Sequence, residues 1–246
     1  MKIRVRFTKH GAVKYIGHLD VMRYFQKCIR RAGVNVSYSG GYSPHQIMTF
    51  AAPLGVGIES EGEYMDLGIE DEHPDTLAIK EALNNASVEG IRIRSVKVLP
   101  DDAGNAMASV YASKYEITFF EDKKDACPDK EQISSMIEAM NAMEHCIYHK
   151  ETKKTSRDID LKEFIYELKV ADSSIYQDHP QEIPVINMTI NSSSSDSIKP
   201  TFVMEYLFGV FDVEMPSNSL KITRLDMYTL GEEGELVSLD DVGSDS

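Results

Sequence analysis

Cysteine is scarce in this chain. Among 246 residues there are three, Cys28, Cys127 and Cys146, far apart and with no CxxC. A scattered, odd-numbered set excludes a cysteine-held cluster built from this chain alone and fits a reducing compartment. Long apolar runs are missing as well. No stretch approaches the ~20 apolar residues of a membrane span, and MKIRVRFTKH alternates charged and apolar residues instead of forming a leader's apolar block, so the sequence predicts a cytoplasmic protein with no membrane partner. Neither HExxH, GxSxG, GxxxxGK[ST] nor a zinc spacing occurs, which removes the common metal-hydrolase, serine-hydrolase and P-loop readings. His145 and His149 are four apart, but on a strand that spacing leaves them ~13 Å from each other, too far to share a metal.

Acid is missing from one region only. Residues 1–50 hold nine basic side chains (Lys2, Arg4, Arg6, Lys9, Lys14, Arg23, Lys27, Arg30, Arg31) against one acid, Asp20, a local charge of +8. With a net charge of −14 for the whole chain, the remainder carries −22. A fold built from this sequence has a cationic first region and an anionic rest, and the cationic part is where a polyanion would bind.

What is present is enough for a sizeable core. At 246 residues and 42% hydrophobic composition a folded chain buries roughly 70–75% of its unfolded surface. KIRVRF at 2–7 has period two, with Ile3, Val5 and Phe7 on one face and Lys2, Arg4 and Arg6 on the other, which predicts a half-buried strand with a cationic exposed side. HLDVMRYFQKCIRRAG predicts a helix ended by Gly33, with Arg23, Lys27 and Arg30 forming a basic stripe beside the apolar one. VNVSY, QIMTFA and EYMDLGI read as strands, DTLAIKEALNNA as a helix and IRIRSVKV as a strand. PDDAGNAMAS at 100–109 has turn formers without a period and reads as a linker. The order then recurs: KYEITFF, the helix DKEQISSMIEAMNAM, HCIYHK, LKEFIYELKV and PVINMTI as strands, the serines at 192–195 as a loop, the helix KPTFVMEYLFG, and the strand LKITRLDMYTL. The expectation is an α+β protein of two tandem ferredoxin-like, split β-α-β units with antiparallel sheets: a basic unit at 1–100, an acidic one at 110–230, and an acidic, partly disordered tail at 231–246.

The loop YSGGYSPH, between two strand segments, carries more chemistry than a turn needs. Gly40 and Gly41 can form a backbone anion nest, and Tyr38 or Tyr42 can stack on a base. Ser43 and His45 add polar groups. The candidate binding set is Arg4, Arg6, Arg23, Lys27, Arg30, Arg31, Tyr38, Gly40, Gly41, Tyr42, Ser43 and His45. His10, His18 and His45 are the candidate acid–base residues, on the condition that the first strand and the glycine loop emerge at the same edge of the sheet. No metal site is expected.

The stretch KYIGHLDVMRYFQKCIRRAGVNVSYSGGYSPHQIMTFAAPLGVGIESEGEYMDL resembles the opening of the radical-SAM-linked domain of unknown function. The shared features are a His-Leu-Asp at a helix start, paired arginines before Ala-Gly, a Tyr-Ser-x-Gly-[Phe/Tyr]-x-Pro-His loop and a Pro-Leu-Gly-Val segment running to Glu-Tyr. The likeness is dense from about residue 3 to 69, and KPTFVMEYLFG and ITRLDMYT are similar to the later part. Members of that family are fused to a radical-SAM domain or paired with one. This chain has no CxxxCxxC, so the resemblance implies the stand-alone type, with no cofactor of its own and a separately encoded radical-SAM enzyme as partner. Three functions stay open at this point: a non-catalytic accessory that binds RNA or another polyanion, a metal-independent RNA-processing enzyme using His/Tyr chemistry, and a protein-interaction scaffold.

Overall fold

The computed structural model describes residues 1–151, 156–194 and 197–245. The chain forms two compact units, Met1–Ala112 with Arg224–Ser246, and Ser113–Thr223. The first contains β1 (Lys2–Lys9), α1 (His18–Ala32), β2 (Met48–Phe50), β3 (Glu59–Gly68), α2 (Thr76–Ala86), β4 (Ile93–Val98) and the short α3 (Ala106–Ser109). Then come β5 (Ala112–Phe119), α4 (Lys130–Ala142), β6 (Ile147–Glu151), β7 (Ser156–Asp160), β8 (Ile165–Val170), β9 (Ile186–Asn191) and α5 (Pro200–Val210). β10 (Leu220–Leu230) returns the chain to the first unit, where β11 (Leu236–Ser238) follows. The protein is thus α+β with mostly antiparallel pairing.

In the first unit β1 lies between β4 and β3 and is antiparallel to both. β2 pairs antiparallel with β3. Ile3, Val5 and Phe7 turn to the helices and are essentially buried, packing with Val21, Phe25, Cys28 and Ile29 of α1 and Leu83 of α2. The rings of Phe7 and Phe25 are 4.6 Å apart and Phe25 and Phe50 5.9 Å. Each such ring adds about 1.5–3 kcal/mol of burial. α1 ends as its sequence requires: Gly33 adopts φ +69° and donates its N–H to the Ile29 and Arg30 carbonyls, a left-handed closure that glycine makes without a Cβ clash. Asp75 caps α2 through the Ala78 N–H.

In the second unit β8 pairs antiparallel with β9, and β5 is the neighbour of β9 on its other side. Asp129 and Gln132 close a capping box on α4. Ile133, Ile137 and Met140 of α4 and Val203, Met204 and Leu207 of α5 are buried. HCIYHK, expected as a strand, forms β6, which pairs with β7 in a separate two-stranded sheet. LKEFIYELKV becomes a strand only from Ile165, after a 3-10 turn at Leu161–Glu163. Ser195, the last residue of the expected serine loop, lies outside the described residues.

Two sequence expectations differ in the first unit. VNVSY forms only the single bridges Val36 to Ile69 and Tyr38 to Gln46. The acidic segment after 231 does not trail free over its described part: β11 pairs with β10, Leu239 is fully buried, and Ser244 pairs with Val98. Its one apolar run, Leu236 to Leu239, offers the surface that its acids conceal in a charge count.

Candidate functional site

Period two places Arg4 and Arg6 on the face of β1 turned away from the helices, as expected, but that face is not open. Arg4 donates to Asp66 from Nε and Nη2 at 2.8 and 3.0 Å and to the Leu239 and Gly104 carbonyls at 3.3 Å. It is 1% exposed. Arg6 reaches the Glu61 and Leu225 carbonyls at 3.4 and 3.3 Å and lies 3.7 and 3.8 Å from Asp226 and Asp240. Beside it the Tyr64 hydroxyl donates to Asp226; burial, reinforced by that carboxylate, pushes the Tyr64 phenol up. The expected cationic strand face is therefore corrected. Arg4 and Arg6 are spent inside the protein, because β3, β10 and the segment after β11 bring carboxylates and carbonyls to meet them.

The helix cations behave differently. Arg23, Lys27, Arg30 and Arg31 all stand exposed on α1. Arg23 pairs with Asp20 at 3.5 Å, an exposed pair worth about 0–1 kcal/mol. Arg30 bonds the Gln26 carbonyl and Arg31 that of Ala86, so both guanidiniums keep donors for a ligand. From Arg23 to Arg30 the helix rises about 10 Å.

Four residues beyond Gly33 the chain enters a hairpin. Ser37 N–H donates to the Gly68 carbonyl, Ile47 N–H to that of Ser37, and Ser39 N–H to that of His45 at 2.8 Å. The Ser39 hydroxyl accepts the His45 N–H and sits 2.8 Å from His45 Nδ1. His45 thus ties the base of the tip. Gly41, at φ +100°, makes the bend that leaves Gly40, Tyr42 and Ser43 in solvent, and Tyr42 is fully exposed while Tyr38 is half exposed. Tyrosine held outward on a closed tip is a stacking surface.

The three histidines do not converge. The hairpin joins β3 at Gly68, which is opposite Lys2, whereas His10 follows Lys9, which is opposite Ser60. An eight-residue strand spans about 25 Å, so His10 and His45 lie at opposite ends of β1, and the shared cleft expected from the sequence does not form. His10 is held by Glu59 and Glu61, at 3.7 and 2.8 Å. The His10 ring, together with Arg94 at 2.6 Å, holds the Glu61 carboxyl down to about 2 against the opposing effect of burial. His18 packs edge-on against Phe50 with centroids 5.5 Å apart. In the second unit His145 faces Asp160 at 2.6 Å and His149 faces Asp158 at 2.7 Å. Among the described residues no group of three His, Cys, Asp or Glu side chains could hold a metal ion.

A second constellation went unnoticed in the sequence. Lys9, Glu63 and Arg224 are buried together beside His18: Arg224 donates to Glu63 from Nε at 2.8 Å and from Nη2 at 2.6 Å, and to the Ala52 carbonyl at 2.9 Å. Lys9 donates to the Ile16 carbonyl at 2.9 Å. Burial pushes the Lys9 ammonium down, Glu63 opposes that, and Arg224 adds to it. A cavity of about 20 Å³ lies against Lys9, His18, Phe50, Pro53, Leu54 and Glu63. The available signal was Lys9 itself, which continues the apolar series Ile3, Val5, Phe7 as a lysine.

Fold and site together define a mostly antiparallel α+β protein that pairs its strand charges internally and offers a basic helix and an aromatic hairpin outward. The chain belongs to the uncharacterized protein family conserved in bacteria DUF2344, which it matches over residues 2–200. No curated protein matches it. Among the described residues no helix is long and apolar enough to cross a membrane.

Proposed function

We propose that this protein is a non-catalytic accessory that holds single-stranded RNA along α1 and the Tyr38–His45 hairpin and presents it to a separately encoded radical-SAM enzyme. The observation that carries the reading is the run of four exposed cations, Arg23, Lys27, Arg30 and Arg31, with Asp20 as the one acid on the same helix, followed ten residues after the helix's last residue, Ala32, by the fully exposed Tyr42. Cations meet phosphates and the tyrosine ring meets a base. The enzyme partner rests on the resemblance of residues 3–69 to the radical-SAM-linked domain. The first unit also supports the split β-α-β reading: β4-β1-β3 with β2 beyond β3, which runs fourth, first, third, second strand.

Fluorescence anisotropy with a labelled single-stranded RNA tests the binding. With about four phosphate contacts, log K falls against log salt with a slope of about −3. Tyr42→Ala weakens binding by about 1–3 kcal/mol with that slope unchanged. RNA that fails to associate at low salt, or does so with no salt response, removes the proposal. Loss of co-purification with the radical-SAM enzyme after ribonuclease treatment separates an RNA-bridged partnership from direct docking.

A further inference from the structure

The hairpin that carries Tyr42 holds a buried group that its own fold leaves unused. Gln46 is 7% exposed, and among the described residues neither its Oε1 nor its Nε2 meets a hydrogen-bond partner. Each of the other side chains in that condition leaves one atom unpaired, whereas Gln46 leaves both a donor and an acceptor. An amide taken out of water and given nothing in return destabilises a fold, and a leucine of similar size would not. Folding alone therefore gives no account of a glutamine at this position.

The backbone fixes where the amide stands. Ser39 N–H donates to the His45 carbonyl at 2.8 Å and Ile47 N–H to that of Ser37 at 2.9 Å. Tyr38 and Gln46 are the bridge pair between those two bonds and exchange none of their own. In antiparallel strands such a pair has the closest approach, with Cα atoms about 4.5 Å apart and both side chains on one face. Tyr38 is half exposed, and an exposed ring changes rotamer within nanoseconds. The neighbour of Gln46 can move, while the register that holds Gln46 cannot.

An aromatic face beside a free donor and acceptor matches an unpaired nucleobase. Adenine carries the complement of an amide on two edges, its N6 amino group next to N1 and next to N7, and glutamine pairs with it through two hydrogen bonds. We infer that Gln46 reads one unpaired base of the bound strand, adenine by preference. Its Nε2 donates to the ring nitrogen and its Oε1 accepts from the N6 amino group, while the base stacks on Tyr38. The inference rests on the RNA-binding reading and adds to it the residue that sets sequence preference; the α1 cations meet phosphates whatever the sequence.

Fluorescence anisotropy with labelled oligo(A), oligo(C) and oligo(U) of equal length, at one salt concentration, tests the inference. Wild type binds oligo(A) about tenfold more tightly than the other two. Gln46→Leu removes that preference, keeps the wild-type affinity for oligo(U) and the wild-type salt slope, and melts no lower than wild type. Gln46→Met behaves in the same way and decides the matter if the leucine variant does not fold. Equal binding of all three strands by wild type overturns the base reading and leaves RNA binding standing; binding of none overturns both. A preference for oligo(A) that survives in the variants overturns the role of Gln46, and a preference for another base overturns the assignment of adenine.

Discussion

β1 and α1 are consecutive, equally basic stretches of one unit, and they use their cations in opposite ways. Arg4 and Arg6 alternate with core residues on a strand flanked on both edges, so their guanidiniums project into a layer that later segments cover with Asp66, Asp226 and Asp240. Arg23, Lys27 and Arg30 stand exposed on a helix whose other side is buried, and the ion pair of Arg23 is the exposed one with Asp20. Equal charge in the sequence therefore becomes structural cement in one element and a free surface in the next. What decides between them is the element's number of covered faces.

The sharpest way to break that contrast is Arg4→Met. It leaves Asp66 buried without its bidentate partner and costs about 3–5 kcal/mol, read from urea denaturation. Arg6→Met, at a quarter-exposed site with longer ion pairs, costs about 1–3 kcal/mol by the same measurement. Next in size is the acid response of Glu61. Its folded carboxyl titrates at about 2 against an ordinary 4.5, so its stabilisation is present above pH 4.5 and is lost as pH falls through about 2. Glu61→Gln is accordingly less stable than wild type at pH 7, and the gap closes between pH 4.5 and 2; a gap that stays constant over that window refutes the pairing. The smallest effect is that of Lys27→Glu with Arg30→Glu. Stability changes by about 0.5 kcal/mol or less, while single-stranded RNA binding at low salt falls at least tenfold. A large stability loss there would show the helix cations to be as embedded as those of the strand.

Local elements were legible from pattern. α1 with its Gly33 stop, α2 after Asp75, α4 after Asp129, α5 from Pro200 and β10 over LKITRLDMYTL all lie where period and caps predict. The failures are long-range. Periodicity states that Arg4 and Ile3 face opposite ways, yet it cannot state that Leu239, 235 residues later, covers Arg4. HCIYHK has strand composition, but composition does not choose a partner, and β7 captured it. Of the candidate site, the helix stripe and exposed Tyr42 were readable because exposure on a helix and at a glycine tip is set locally. The separation of His10 from His45 was not, since it depends on which end of β3 each adjoins. Lys9 was readable in principle, as a charge in an apolar register, but Arg224 becomes its neighbour only through the returning β10.

The Leu239 carbonyl that Arg4 grips leaves the ribosome after the entire second unit has been made. Until then the nascent first unit displays an unfinished polar face with arginines still seeking their acceptors, so its completion comes last although its synthesis comes first. During translation that is the stage most exposed to chaperones, and a chain cut short before Arg224 would never leave it.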